Sequence, residues 1–263
     1  MAEKKPIICL DAGHGGYDPG AVKGKREEED DALKLVLAIG KKLARDYTVS
    51  VVYTRKTDIY ESPSKKAQDS DDANADLFVS IHRNSASPTG EGYETLVFEN
   101  SGVKKELANK LNKRMAGIGF KNRGTKVRKD LTVLKKTDAP SVLLEVGFIS
   151  SAKDNKLFDE KFNKIVDAIV LSIAEVMDLK RKPVVTKTPK KLAVGNYNSY
   201  VETTTNLNVR DGRGTHNDLL GTLKKGTKVK VLYIADYKGT LWGSINYGKN
   251  VGYISLNYVK AVL

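Results

Sequence analysis

Short apolar runs alternate with longer amphipathic segments through the first 178 residues, and this alternation is the strongest constraint on the fold. The strand candidates are Pro6–Asp11, Thr48–Arg55, Asp76–Ser80, Tyr93–Phe98, Leu131–Leu134 and Ser141–Val146. The helix candidates between them are Asp30–Asp46, Val103–Gly117 and Ala152–Met177. Strands interleaved with helices of this length predict a layered α/β domain, in which a mostly parallel or mixed sheet is flanked by helices.

The sequence changes character after this region. Lys180–Tyr200 has six basic residues, two prolines and no acidic residue, which predicts an extended basic linker over 179–200. From Val201 onward, short alternating segments are punctuated by glycine. This pattern predicts a small all-β barrel or sandwich over 201–263. The predicted organisation is therefore a domain over 1–178, a linker and a second domain.

The net charge of +13 is concentrated in the C-terminal part of the chain. Residues 180–263 hold 15 Lys and Arg against four Asp and Glu, whereas residues 1–179 hold 30 against 28. A basic C-terminal module is attracted to an anionic partner. Since the first domain is nearly neutral, we expect that this partner is not a nucleic acid.

Other features of the sequence bear on the cellular compartment. No apolar run is long enough for a membrane helix, so we expect no membrane insertion. The N-terminus has only a short apolar run before Asp11 and does not match a cleaved signal peptide. The single cysteine, Cys9, excludes an intramolecular disulfide framework. We therefore expect synthesis in the reducing cytoplasm.

Two of the three histidines directly follow predicted strands, in DAGHGG (His14) and SIHRNS (His82). Ligand crevices of open α/β sheets form at the carboxyl ends of strands. A third strand carries an acid, Glu145, within the apolar run PSVLLEVGF. An ionised glutamate is rarely buried without a partner, so Glu145 lies either in a structural ion pair or in an active site with a shifted pKa.

A cluster of acids, Glu27–Asp31, precedes the first predicted helix. An acidic first turn suits the helix dipole, which is one interpretation of the cluster. The other is that one carboxylate joins the two histidines. Two histidines and one carboxylate form the ligand set of catalytic zinc hydrolases, which leave a fourth position for water.

The motifs DAGHGGYDPGAV, ADLFVSIHRNS and APSVLLEVGFISS, in this order, resemble the zinc-dependent N-acetylmuramoyl-L-alanine amidases of bacterial autolysins and phage endolysins. The resemblance spans about residues 5–177. It implies one zinc ion held by His14, His82 and a glutamate of the acidic cluster. The ligand glutamate of the family precedes a helix leucine by five positions, which indicates Glu28; Glu29 is the alternative.

The same resemblance implies the reaction. Glu145 matches the catalytic glutamate of the family, which takes a proton from water and delivers it to the leaving amine. The bond cut is the amide between N-acetylmuramic acid and L-alanine of the peptidoglycan stem. Arg83 stands where the family usually has a small residue, and we expect it to point away from the metal, toward substrate.

The segment over about Val201–Leu263 resembles bacterial SH3-like domains, in LNVR and in the GTLKKG turn. Such domains commonly bind cell-wall peptides. Aromatic side chains suit a binding groove, and Trp242 and Tyr247 are the candidate contacts, although the same side chains could fill the core. His216 is expected at the surface. The basic charge of this module also fits the anionic polymers of a bacterial wall.

Two other hypotheses compete with a wall-cleaving amidase. One is a wall-binding protein without catalysis, which the presence of His14, His82 and Glu145 disfavours. The other is a cysteine peptidase that uses Cys9, which its place inside an apolar strand disfavours. Because no signal peptide is evident, we expect an enzyme that reaches the wall after release from the cytoplasm, as a phage lysin does.

Overall fold

The structure is a computed structural model, and it describes residues 5–86, 90–183 and 191–262. The chain divides into two compact units, Met1–Val184 and Val185–Leu263. The division falls within the segment predicted as linker, of which residues 184–190 lie outside the described residues. Within the described ranges, no helix is long and apolar enough to cross a membrane.

The first unit contains a central sheet and the α-helices of the described residues. Its elements are, in order, β1 (Ile7–Ala12), β2 (Val22–Lys23), β3 (Arg26–Glu27), α1 (Glu28–Asp46), β4 (Ser50–Tyr53), α2 (Pro63–Asp72), β5 (Leu77–Asn84), β6 (Tyr93–Val97), α3 (Gly102–Ile118), β7 (Asn122–Val127), α4 (Thr132–Lys136), β8 (Ser141–Phe148), α5 (Ala152–Glu160) and α6 (Phe162–Val176). The strands β2 and β3, of two residues each, form a separate antiparallel hairpin.

The central sheet has six strands in the order β4-β1-β5-β8-β6-β7. The pairs β1–β4, β1–β5, β5–β8 and β6–β7 are parallel, and β6–β8 is antiparallel. The predicted α/β class with a mixed sheet is thus confirmed. The parallel strands β1, β5 and β8 are direct neighbours, so their carboxyl ends lie at one edge of the sheet.

Both faces of this sheet are covered. Ile8 and Leu10 of β1 belong to the larger apolar core, whereas Cys9 between them belongs to a smaller core on the opposite face. This is the alternation that a strand imposes on its side chains. Helix α1 turns Leu35, Ile39 and other apolar residues into the larger core, where α1 and α3 both pack against α6.

Several secondary-structure predictions for the first unit were wrong. Leu131–Leu134 was predicted as a strand, but Thr132–Lys136 forms helix α4, whose Val133 and Leu134 pack in the smaller core. The single predicted helix Ala152–Met177 is two helices separated at Lys161. Helix α2 was missed because it has almost no apolar face; Ser62 caps it by accepting a hydrogen bond from the Lys65 backbone N–H at 3.2 Å.

The second unit is all-β, as predicted. Its strands are β9 (Gly195–Thr203), β10 (Leu207–Arg210), β11 (Leu219–Leu223), β12 (Lys228–Tyr237), β13 (Thr240–Tyr247), β14 (Asn250–Ser255) and β15 (Val259–Ala261), with a 3₁₀ turn over Leu256–Tyr258. They form one antiparallel sheet in the order β11-β10-β14-β13-β12-β9-β15. Strand β9 begins at Gly195, within the segment predicted as linker. Apolar residues such as Val209, Val231 and Ile254 form a separate core.

Candidate metal and active site

The site lies at the carboxyl edge of strands β1, β5 and β8. His14 follows β1, His82 lies near the end of β5, and Glu145 is the direct neighbour of His82 on β8. The backbone N–H of Gly13 donates to the Ile81 carbonyl at 3.0 Å, which ties the loop after β1 to β5. The topology therefore brings together three residues that are far apart in the sequence.

His14, Glu28 and His82 form a compact cluster of donor atoms. One ligand atom from each lies within 4.8 Å of the others. Oε1 of Glu28 lies 3.2 Å from Nε2 of His14 and 2.8 Å from Nδ1 of His82. Glu28 is the first residue of α1, and its carboxylate also accepts hydrogen bonds from the backbone N–H of Arg83 at 3.0 Å and of Ala21 at 2.9 Å.

The charges of the cluster reinforce one another. Burial alone would raise the pKa of Glu28, but its hydrogen bonds to the two histidines outweigh burial and hold the pKa well below its usual range. Burial alone would lower the pKa of His14, but Glu28 and then Asp18 outweigh burial and raise the pKa to about 9. At neutral pH, protonated His14 and ionised Glu28 form an ion pair in the metal-free cluster, and a metal ion must displace the His14 proton to bind.

The cluster fits a metal ion by the chemistry of its donors. Two imidazole nitrogens and one carboxylate oxygen are the donor set that zinc prefers in catalytic sites. The backbone makes room for these donors: a Cβ at Gly13 would lie 2.4 Å from the His82 ring, and one at Gly20 would lie 2.6 Å from the His14 ring. Glycine is thus required at both positions by close approach.

Glu29, the alternative ligand, is placed elsewhere. It is buried, and among the described residues it does not join the group of donor atoms. Burial and then the neighbouring carboxyl of Asp58 raise the pKa of Glu29. The structure therefore favours Glu28 over Glu29 as the carboxylate of the cluster.

Two buried basic side chains, those of Lys66 and Arg55, hold the loop that carries His14. Nζ of Lys66 lies 3.0 Å from the Asp11 carboxylate and donates to the carbonyls of Ala12 at 2.5 Å and His14 at 3.3 Å. Arg55 donates to the Ala12 carbonyl at 3.1 Å and to the Gly13 carbonyl at 2.9 Å. His14 itself has φ of 59°, an uncommon value for a residue other than glycine. These hydrogen bonds fix the strained backbone from which His14 projects.

Sequence reasoning missed Lys66 and Arg55. For Arg55 a signal was present, because it ends the predicted strand Thr48–Arg55, which pairs with β1 at the same edge of the sheet. For Lys66 no comparable signal existed, since it lies in the polar helix α2 that was not predicted.

Glu145 has one carboxylate oxygen without a partner. Its Oε2 atom is buried and makes no hydrogen bond with any described residue. Burial raises its pKa to about 7, and the nearby carboxylates of Glu28 and Glu94 act in the same direction. A carboxyl with a pKa near neutrality can both accept and return a proton.

The site opens into a cleft at the protein surface. His14, Asp18, His82 and Lys66 line this cleft. Tyr60, Glu61 and Pro63 line it too, as do residues 130–133 at the start of α4. The cleft therefore gives a ligand direct access to the two histidines.

Arg83 does not face this cleft, which corrects the prediction that it contacts substrate. Its side chain is buried, forms an ion pair with Asp31 and donates to Oδ1 of Asn155 at 2.6 Å. The guanidinium also lies 4.3 Å from the centroid of the Phe158 ring. Alternation along β5 turns Arg83 to the side opposite His82, and that side is covered by α1 and α5.

The other residues singled out from the sequence lie away from the cluster. Cys9 is fully buried in β1, and burial raises the pKa of its thiol to about 12, which argues against a cysteine nucleophile. His216 is exposed, as expected. Trp242 is mostly buried and lines a second-unit cleft with Asn206, Arg210 and other residues, whereas Tyr247 packs against the apolar core.

Comparisons with known proteins agree with this geometry. Residues 8–175 match the family described as N-acetylmuramoyl-L-alanine amidase, and residues 205–260 match the bacterial SH3 domain. The endolysin of Bacillus phage SPP1 is 36% identical over 185 residues, which are 67% of this chain and 68% of that protein. The sporulation-specific N-acetylmuramoyl-L-alanine amidase of Bacillus subtilis is 32% identical over 159 residues, 59% of this chain and 61% of that protein.

Solved structures resemble the first unit. The catalytic domain of the amidase CwlV from Paenibacillus polymyxa is 33% identical, with a TM-score of 0.62; the match covers 66% of this chain and 99% of that one. An N-acetylmuramoyl-L-alanine amidase from Clostridium difficile is 27% identical, with a TM-score of 0.63. The match covers 67% of this chain and 98% of that one. The chain therefore belongs to the N-acetylmuramoyl-L-alanine amidase family, and its C-terminal part matches the bacterial SH3 domain.

Proposed function

We propose that this chain is a zinc-dependent peptidoglycan amidase that cleaves the amide between N-acetylmuramic acid and the L-alanine of the stem peptide. The observation that carries the proposal is the cluster of His14, Glu28 and His82 beside the unpartnered carboxylate oxygen of Glu145. His14, Glu28 and His82 would hold the metal ion. When bound, zinc supplies Lewis acidity, which activates water and polarises a carbonyl.

Glu145 is the proton carrier of the reaction. Its buried Oε2 atom has no competing hydrogen bond from the part of the chain that the structure describes, so it can accept the proton of the attacking water. The same carboxyl then delivers this proton to the amide nitrogen, which leaves as the free amine of L-alanine. Register pairing with His82 keeps Glu145 at a fixed distance from the cluster.

Other residues of the chain keep this arrangement in place. Asp18 lies 2.9 Å from Nδ1 of His14, so it orients the ring and leaves Nε2 directed at the cluster. The backbone N–H groups of Ala21 and Arg83 orient the carboxylate of Glu28. Lys66 and Arg55 fix the backbone beneath His14.

The second unit serves to hold the enzyme on its substrate. Its bacterial SH3 match and the 15 Lys and Arg against four Asp and Glu of residues 180–263 support binding to the peptidoglycan and to its anionic polymers. The cleft lined by Trp242 is the candidate contact for the wall, whereas Tyr247 packs against the core and does not line this cleft.

The biological setting that we propose is lysis by a phage or prophage endolysin, which acts on the wall after release from the cytoplasm. The similarity to the endolysin of phage SPP1 supports this setting. Attraction of the basic module to the wall would keep the enzyme at its site of action.

The test is a digest of purified Gram-positive peptidoglycan, scored for new N-terminal alanine and for new reducing sugar. New N-terminal alanine without new reducing sugar is expected, and both a chelator and Glu145→Ala should abolish it. Readdition of zinc should restore activity to the chelated wild type but not to Glu145→Ala. New reducing sugar would instead indicate a glycosidase. Tight wall binding without any new ends would indicate a binding protein without catalysis.

A further inference from the structure

Two tyrosines form an exposed aromatic platform beside the cluster. The ring centroids of Tyr17 and Tyr60 lie 4.2 Å apart with planes 30° from parallel, so the rings stack on each other. Tyr17 is 78% exposed and Tyr60 is 37% exposed. Stacking occupies one face of the Tyr17 ring, and its exposure leaves the rest of the ring open to a ligand.

This platform is held rigidly with respect to the cluster. Tyr17 follows His14 by three residues, and Tyr60 lines the same cleft as His14. The backbone N–H of Gly16 donates to Oδ1 of Asp58 at 2.6 Å. Gly16 has φ of 65°, and a Cβ there would lie only 2.7 Å from the backbone nitrogen of Tyr60. The two loops thus touch, and the platform continues the wall of the cleft.

The part of the cleft around the platform is acidic. Around the platform lie the acids Asp18, Asp58 and Glu61, while Lys56 of the same loop is turned toward the ring of Tyr53. Residues 130–133 also line the cleft, and their one charged member, Asp130, is paired with Arg128 at 2.6 Å. Among the described residues that line the cleft, the acids without a lysine or arginine partner therefore lie beside the two tyrosines.

The substrate of a muramoyl amidase has a matching asymmetry. On one side of the scissile amide is an N-acetylated sugar, which has no charge once its lactyl group is in the amide. On the other side is a stem peptide with free carboxylates. An acidic side repels those carboxylates, whereas a neutral pyranose ring presents a face of C–H groups that packs on an aromatic ring.

We propose that Tyr17 and Tyr60 bind the N-acetylmuramyl ring, so that the uncharged sugar lies beside the acids of the platform and the stem peptide, with its carboxylates, lies away from them. The platform therefore selects for substrates that retain the sugar. This inference rests on the proposed amidase function, because it needs the scissile amide to lie at the His14, Glu28 and His82 cluster.

The experiment compares two soluble substrates in the zinc-loaded, full-length protein. One is an N-acetylmuramyl peptide. The other is the same peptide with only a lactyl group on its N-terminus, so that the scissile amide is kept and the sugar ring is absent. The double variant Tyr17→Ala/Tyr60→Ala should lower kcat/KM for the sugar substrate by about tenfold and leave the lactyl peptide unchanged. Tyr17→Phe/Tyr60→Phe keeps both rings and should retain wild-type selectivity. Tyr200→Ala is the matched control, because it removes a tyrosine of the second unit whose exposure, 50%, lies between those of Tyr17 and Tyr60.

Each outcome separates the two proposals. If the double alanine variant loses the same factor on both substrates, or on neither, the platform does not bind the sugar, and the amidase function stands because the wild type still cleaves. If the Phe variant falls as far as the Ala variant, stacking is not the cause. If the wild type cleaves neither substrate, the amidase function fails and the sugar site fails with it.

Discussion

Glu145→Gln should make the metal-free protein more stable, and increasingly so as pH rises. Burial raises the pKa of Glu145 from an ordinary 4.5 to about 7 in the folded state. Between these two values the unfolded chain gives up the proton while the folded protein keeps it, so ionisation progressively favours unfolding. The wild type therefore loses stability from about pH 4.5 up to about pH 7, and the glutamine variant, which cannot ionise, does not.

The size of the effect follows from the shift. Each pKa unit is worth about 1.4 kcal/mol, so the variant should gain about 3 kcal/mol over the wild type above pH 7 and nothing below pH 4.5. For a domain of this size, the gain corresponds to a Tm difference of roughly 6–12 °C. Zinc should reduce the difference, since a cation close to Glu145 favours its ionised form.

The assay is thermal unfolding of the chelated full-length protein at several pH values. Circular dichroism at 222 nm follows the first unit, because the α-helices of the described chain lie there. Fluorescence of Trp242, the only tryptophan, follows the second unit and should not change between variants. A Tm difference that is constant from pH 4.5 to 8.5 would refute the argument that burial controls this carboxyl.

Glu94→Gln is the matched control, because Glu94 is the register partner of Glu145 on β6. Burial alone would raise the pKa of Glu94, but its ion pairs with Lys126 and Arg123 outweigh burial and lower it. A carboxyl whose pKa is lower in the folded than in the unfolded chain stabilises the fold at pH values above its unfolded-state pKa. This stabilisation is lost as the pH falls through the folded-state pKa. The control variant should therefore be less stable than the wild type at neutral pH, and the deficit should shrink in acid.

Further predictions concern the metal, the loop and the core. Glu145→Ala should keep zinc bound while kcat falls by about 10²- to 10⁴-fold, whereas His14→Ala should lose both zinc and activity; metal analysis of the purified variants separates the two cases. Lys66→Met should weaken zinc binding by about 10- to 100-fold in a competition titration with a chelating dye, and Lys66→Arg should recover most of the affinity. Arg83→Met should cost about 1–3 kcal/mol in urea unfolding, because it removes the buried hydrogen bonds of Arg83 to Asp31 and Asn155, whereas Arg26 still pairs with Asp31. An unchanged stability with a raised KM would instead support the original prediction that Arg83 contacts substrate.

Much of the site could be predicted because its residues follow strands. His14 and His82 each stand at the carboxyl end of an apolar run, and parallel pairing of β1 with β5 brings such ends together. Glu145 could be predicted because a lone acid inside an apolar run has few explanations. The choice of Glu28 depended on the family pattern, since the acidic cluster offers several carboxylates of equal chemistry.

What could not be predicted depends on tertiary contacts. Nothing in the order of residues indicates that Lys66, on a polar helix, would bury its ammonium group against the carbonyls of Ala12 and His14. The alternation of side chains along a strand predicts on which side Arg83 lies, but not whether that side is open to substrate. Arg83 is buried by contacts with Asp31 and Asn155, which lie on two helices that are distant in the sequence. The apolar run at Leu131–Leu134 fits a strand or a short helix equally well, and only its packing decides.

The burial of Cys9 has a practical consequence for labelling. Its thiol is inaccessible and its pKa is about 12, so maleimide reagents at neutral pH should leave the folded chain unmodified. A cysteine introduced at a surface position such as Val22, which is 50% exposed, would then be the one reactive thiol. A fluorophore could be attached there without deleting any native residue of the core, and single enzyme molecules could be followed as they dwell on and move across a cell wall.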